Sequence, residues 1–332
     1  MGRRLTAAAV AGLCLVSMVG CGTESGGRRG LARGTPALGP LGAASGPPLT
    51  EATTTTVPTT LAPETTAAPT TTAPPVAPAV TTAPAPAPPL SLGMAPYQGL
   101  GTWLDTYDWS VSVPAIRNPG YSEPAAGPAD VDRMAALGVQ TLFVQTAHHK
   151  VDADVLEPER LLPIIERAHH VGLRVVAWYL PALDDPATDL RRLVAAAQLP
   201  VDGLAVDIEY RSGAFDVTER NRRLVELSAN LRAALPGQVL GAIVLPPVVM
   251  EDINPDYWPG FPWAELAPWY DVWLPMSYWT NRATSSGWRD GYGYTAANID
   301  RVRANLGQPG AAVHTIGGIG DASSEADVNG MR

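Results

Sequence analysis

The chain has 332 residues, of which 33 are Pro and 32 Gly, about a fifth of the total and a sign that a sizeable part builds no packed core. Its formal charge is −9, but residues 1–92 carry five Arg against three Glu, so the remainder holds 18 basic and 29 acidic residues. A domain that acidic repels phosphate backbones, which argues against nucleic acid as a partner.

In chain order, the first element is a positively charged start, Gly2-Arg3-Arg4, followed by an apolar run from Leu5 to Val19 and then Gly20-Cys21. These are the parts of a secretory signal, and the run is too short to span a bilayer comfortably. Met18-Val19-Gly20-Cys21 resembles the lipobox of bacterial lipoproteins. The resemblance implies cleavage before Cys21, a diacylglycerol on its sulfur and retention at the outer face of the membrane; the alternative is a plain signal peptide with an incidental Cys. Two acyl chains suffice for stable anchoring.

Residues 22–92 have no aromatic and consist of Gly/Arg/Ser and then Thr/Pro/Ala repeats, such as Ala83-Pro84-Ala85-Pro86. Such sequence reads as a disordered tether, whose last 40 or so residues would reach on the order of 100 Å as polyproline II. Ser and Thr with Pro also resemble O-glycosylated stalks.

All 22 aromatic residues lie between Tyr97 and Tyr294, so the folded region is read as 93–332, about one α/β barrel's worth of chain. Both cysteines, Cys14 and Cys21, lie outside it, which removes disulfides, thiol nucleophiles and thiolate metal sites from consideration. The one Lys, Lys150, removes most lysine chemistry. Strands are predicted at 100–107, 139–146, 173–180, 201–209, 239–245, 271–278 and 312–317. Helices are predicted at 129–137, 157–171, 186–198, 216–235, 263–269 and 295–306. Starts are signalled by Asp130, Glu157-Pro158, Asp185-Pro186 and Thr295, and stops by Gly138, Gly172, Gly237 and Gly307.

Strand and helix alternate, and the strands are nearly continuous apolar runs, which implies a parallel sheet with helices outside. The expected fold is a (β/α)8 TIM-type barrel that is incomplete, with seven strands and the last unit missing. The sequence stops at Arg332 inside what reads as a seventh helix, so a truncated C-terminus is expected. A doubly wound open sheet would show a glycine-rich phosphate turn after the first strand, and Leu104-Asp105-Thr106-Tyr107-Asp108 is not one.

Functional groups of such barrels gather at the C-terminal ends of the strands. On the fourth strand, Gly203, Ala205, Asp207 and Glu209 share a face by alternation. Two neighbouring carboxylates cannot both ionise cheaply, so one pKa should rise, as a general acid requires. The alternative is a rim carboxylate paired with a neighbouring cation such as Arg211.

Asp202, Asp207 and Glu209 resemble the Asp-x-x-Asp-x-Asp-x-Glu signature of the chitinase-like family-eighteen glycoside hydrolases, with Ala205 in place of the second Asp. The resemblance implies Glu209 as the acid that protonates the glycosidic oxygen, and Asp207 as the residue orienting an acetamido group that acts as internal nucleophile. Met276-Ser277-Tyr278 is similar to that family's Met-x-Tyr-Asp, with Trp279 replacing the Asp. Asp105 with Asp207 and Glu209 also resembles the arrangement of family-twenty-five muramidases. From Gly99 onward the region is similar, too, to uncharacterised secreted actinobacterial barrel proteins.

Aromatics suit a sugar ligand: six of nine Trp fall between Trp258 and Trp288. Trp258, Trp263 and Trp279 are placed at loops or strand ends, where rings can stack on sugars, and Trp269 and Trp273 in packing. Trp103, Asp105 and Tyr107 are expected on one face of the first strand. His148-His149 follow the second strand, but adjacent His cannot both face one metal and no third ligand is evident. His169-His170 suit the C-terminal end of a helix, and His314 fits either core or mouth.

The sequence therefore predicts a lipid-anchored, extracytoplasmic glycoside hydrolase acting on a cell-wall or other envelope polysaccharide. Its expected catalytic residues are Glu209, Asp207, Asp105 and Tyr278. Expected substrate contacts are Trp103, Tyr107, Gln145, His148, Tyr179, Met276, Trp279 and Trp258. No metal or cofactor is implied, and a monomer is expected. The rival is a non-catalytic glycan-binding or scaffolding lipoprotein on a degenerate barrel.

Overall fold

The computed structural model describes residues 93–211 and 215–318. The signal segment, Cys21 and the tether at 22–92 lie outside the described residues. Among the described residues no helix is long and apolar enough to cross a membrane.

Seven parallel strands follow one another in spatial order: β1 (Gly101–Leu104), β2 (Thr141–Gln145), β3 (Arg174–Tyr179), β4 (Gly203–Ile208), β5 (Leu240–Val244), β6 (Val272–Pro275) and β7 (Ala312–Val313). Short helices α1 (Thr106–Trp109) and α2 (Ser112–Ala115) follow β1, and α3 (Pro128–Ala136) leads into β2. The later connections carry α4 (Pro158–His170), α5 (Pro186–Ala197), α6 (Val217–Ala234), α7 (Trp263–Leu266) and α8 (Gly291–Leu306). The fold is an incomplete TIM-type (β/α) barrel, curled but with β1 and β7 not paired in the sheet. Neighbours in sequence are neighbours in space because each central strand, buried on both faces, needs a helix over its outer side before the next strand can pair.

Local chemistry sets most of the boundaries. Asp185 caps α5 by accepting from the amides of Ala187 and Thr188, and Gly307 ends α8 at φ 63°. Glu157 behaves differently: it starts α4 at φ 37°, but its carboxylate accepts from the amides of Val111 and Ser112 and from the Ser112 hydroxyl, tying the α1–α2 loop down. Two expectations are corrected. Helix α8 begins at Gly291 under an Asp290 cap rather than at Thr295, because the tertiary fold overrides the poor helix propensity of Gly-Tyr-Gly-Tyr. Strand β1 ends at Leu104, since Asp105 caps α1, so Tyr107 is helical and no longer shares a strand face with Trp103.

The barrel floor is built by Tyr97, from the turn that precedes β1. Its hydroxyl donates to the Leu204 carbonyl (2.7 Å) and accepts from the Leu204 amide (3.0 Å), while its carbonyl lies 2.8 Å from His314 Nδ1. The Tyr97 ring fits because the barrel lining is small there: a Cβ on Gly203 would lie 2.9 Å from its oxygen, and one on Gly241 would lie 3.0 Å from its Cε1. His314 also faces inward, its ring 5.4 Å from that of Phe143, so on the inside Tyr97 and His314 bridge the gap between the two ends of the sheet. Tyr97→Phe leaves two buried backbone groups of Leu204 without their partner and is expected to lower unfolding free energy by about 1–3 kcal/mol in a urea titration.

Candidate active site

The inward parity of Gly203 and Ala205 against the floor carries Asp207 and Glu209 to the C-terminal mouth. Asp207 is the last inward side chain of β4 and is 6% exposed. Its Oδ1 is buried and has no hydrogen-bond partner. Glu209, one step past the strand, is half-buried. Among the described residues neither carboxylate is in an ion pair, and Arg211 stacks on Tyr257 instead.

Two carboxyls that are not paired with cations, on alternate residues of one strand, share a site about 6.6 Å long. Burial, followed by the charge of Glu209, holds Asp207 well above the ordinary carboxylate range. Burial pushes Glu209 up to about 6. The pair is thus biased towards holding a proton: burial favours the protonated form of Asp207, and Glu209 gives up its proton near pH 6.

That poise destabilises the fold. With Glu209 near 6 in place of 4.5, the folded chain binds this proton more tightly than the unfolded chain. Stability falls as pH rises through that window, by about 2 kcal/mol at completion. Glu209→Gln is expected to be more stable than wild type at about pH 8 and no more stable at about pH 4, as denaturant unfolding at the two values will read.

Side chains from β1 to β3 and the segments that follow β1 and β2 line the same mouth. Trp103 lies inside, stacked on Phe143 at 4.2 Å and edge-on to Trp178 at 5.9 Å. His148 is 6% exposed and lies flat against His149 at 4.6 Å, and the His149 ring is 4.7 Å from that of Tyr210. Tyr107 meets His148 edge-on at 5.9 Å. Burial, with Lys150 and Arg192 nearby, pushes both histidines down to about 4, so both are neutral in the working range. Among the described residues no group of three or more His, Cys, Asp or Glu has the geometry of a metal site.

Other expected site residues take structural places. Asp105 accepts from the amides of Tyr107 (2.7 Å) and Asp108 (3.2 Å), and Asp108 answers by accepting from the Asp105 amide (3.0 Å), a reciprocal cap on α1. Burial raises Asp105, and burial with the Asp105 charge pushes Asp108 up to about 7. Gln145 is 4% exposed; its side-chain oxygen accepts from the Thr106 amide and hydroxyl, fastening α1 to β2.

Tyr179 points out of the barrel, donating to Asp189 (2.7 Å) and accepting from Arg192 (2.8 Å) on α5. Its neighbour Trp178 takes the inward place. Trp258 is 2% exposed, with its indole N–H on Asn221 of α6, and Trp279 is 1% exposed in a small cluster with Val248 and Tyr294. Neither presents a face to the mouth. Met276 is buried at the end of β6, and Tyr278, half-buried, packs at the edge of the core. Asp202 sits at the opposite end of β4, where its Oδ2 accepts from the Val175 amide and pairs with His169.

Sequence reasoning passed over Trp178, Tyr210 and Tyr257. Trp178 is signalled only by the register that pairs it with Ala205, because both faces of β3 are apolar.

No family model matches the chain, and no curated protein sequence matches it. Solved structures do overlay on it. A GH18 chitinase from Cycas revoluta in complex with (GlcNAc)4 is 14% identical, with a TM-score of 0.44 over 65% of this chain and 67% of that one. The spore cortex-lytic enzyme SleL from Bacillus megaterium QM B1551 is 10% identical, with a TM-score of 0.44 over 65% of this chain and 49% of that one. A chitinase from Chromobacterium violaceum is 15% identical, with a TM-score of 0.42 over 66% of this chain and 68% of that one. This chain thus spans about half the length of SleL. Overlaps at these scores bear on neither activity nor substrate, which rest on the residues of the mouth.

Proposed function

We propose that residues 93 onward form a glycoside hydrolase domain, exported and held at the outer face of the membrane through a lipid on Cys21, that cuts an N-acetylhexosamine-containing wall glycan. The observation that carries this reading is the Asp207–Glu209 pair: buried, not paired with cations and raised, at the mouth of a barrel. Glu209 gives its proton to the glycosidic oxygen as the bond to the anomeric carbon breaks. The acetamido oxygen of the same sugar closes on that carbon, so no enzymic nucleophile is needed. Uncharged Asp207 supports both ends of the step. Its O–H donates to the carboxylate that Glu209 becomes, and its Oδ1 accepts from the acetamido N–H. Water then opens the cyclic intermediate and returns its proton to Glu209. Trp103, Tyr107, His148 and Tyr278 are the proposed contacts to the sugar.

The full chain is expected to release new reducing ends from such a glycan, and Glu209→Gln to release them about 10²–10⁴-fold more slowly. One observation favours the rival glycan-binding reading: Asp105, the expected second carboxylate, is engaged as a helix cap. Binding by the wild-type chain with no release of reducing ends would establish that rival.

A further inference from the structure

We propose that Arg211, stacked on Tyr257 beside Glu209, is a subsite for a carboxylate-bearing sugar, so that the glycan taken by this mouth is an acidic one. The location rests on the hydrolase reading above; the chemistry of the subsite does not.

Arg211 follows Glu209 by two residues and is exposed. Its guanidinium carbon lies 4.0 Å from the centre of the Tyr257 ring. A guanidinium lying over a ring keeps N–H groups at its edge, where a planar carboxylate can take two of them at once. Among the described residues no carboxylate does so. Burial, followed by the charge of Glu209, raises the Tyr257 phenol.

The arginine is also held from behind. Arg220 Nη2 donates to the Arg211 carbonyl at 2.7 Å. Arg220 is only 9% exposed, lies against the rings of Trp258 (5.2 Å) and Phe215 (5.9 Å), and has an Nε with no hydrogen-bond partner. Its pKa is lowered, first by burial and then by the Arg211 charge. A buried cation without a paired carboxylate is unfavourable to fold, and here it stands behind a second unpaired cation. In a domain with 29 acidic and 18 basic residues, a guanidinium left without a carboxylate partner is an uncommon place for an acidic polymer to be held. A uronic acid and a lactyl-ether amino sugar each supply the single carboxylate this fork would take.

The test uses the full chain carrying Glu209→Gln, so that ligand is not consumed. It is titrated calorimetrically with a hexuronate oligosaccharide and with a lactyl-bearing amino-sugar oligosaccharide, each beside a counterpart whose carboxyls are reduced to alcohols. One acid form is expected to bind about tenfold tighter than its reduced counterpart, and adding Arg211→Gln to bring the two within about twofold. Arg211→Lys, which keeps the charge without the fork, should retain part of the preference, and it carries the comparison if the Gln variant melts early. Whichever acid is preferred identifies the source of the carboxylate. Equal affinity for acid and reduced forms, or no binding of either acid, overturns the subsite. Wild type that cleaves neutral glycan with no acid preference overturns the subsite and leaves the hydrolase standing. Acid preference with no cleavage by wild type does the reverse.

Discussion

Glu209→Gln is expected to lower glycan turnover by about 10²–10⁴-fold while leaving the fold intact, measured as new reducing ends per mole of full chain. The amide has nearly the shape of the acid but no proton to give to the departing oxygen. Burial that holds Glu209 near 6 also sets the pH profile: wild-type kcat/KM should fall on the alkaline side with an apparent pKa of about 6, as the acid is lost. Substrates whose leaving groups need no protonation, such as activated aryl glycosides, should be far less sensitive to the substitution. Equal losses on activated and unactivated substrates would remove Glu209 from the acid role.

The second large effect is at Asp207. If it works uncharged, the form that burial beside Glu209 favours, an amide reproduces most of what it does. Asn keeps a donor towards Glu209 and an acceptor towards the substrate, whereas Ala removes both. Asp207→Ala is therefore expected to cost about 10²–10³-fold in kcat and Asp207→Asn only about tenfold, by analogy with loss of a positioned donor. The alkaline limb should stay close to that of wild type in Asp207→Asn, whose amide still donates to the Glu209 carboxylate, and move to higher pH in Asp207→Ala, which loses that donor. Asn as damaging as Ala would mean that ionised Asp207 is the working form. Because the two groups titrate as a pair, the apparent values read from such profiles belong to the pair.

The two substitutions and the Arg211 comparison probe different parts of one mouth. Glu209 and Asp207 report on bond breaking, and Arg211 on which polymer is taken. The stability difference expected for Glu209→Gln adds an activity-independent reading of the same burial: a chain whose acid is poised for catalysis should become more stable at high pH when that acid is replaced.

What the sequence by itself determined is whatever lies within a few residues of a cause. The alternation of strand and helix, the parallel sheet and most element boundaries follow from hydrophobic period, caps and glycines. Asp185 caps α5 and Gly307 closes α8 as their positions suggest. The placing of Asp207 and Glu209 at one mouth was legible too, because Gly203 and Ala205 leave the inward face of β4 recognisably small.

Only the tertiary structure decided matters settled by distant partners. In a strand buried on both faces, alternation carries no sign, so the choice between Trp178 and Tyr179 fell to the register with β4 and to Asp189 and Arg192 on α5. Trp258 and Trp279 sit in loops by sequence, yet helices α6 and α8 cover them, since flat apolar rings are driven out of water wherever a wall exists. Asp105 was drawn into a cap because β1 stops short and α1 needs its amides satisfied. Tyr97 shows the limit of local reading most clearly. Its hydroxyl meets Leu204 across 107 positions of chain, and nothing near residue 97 specifies a partner that exists only once the barrel has curled around it.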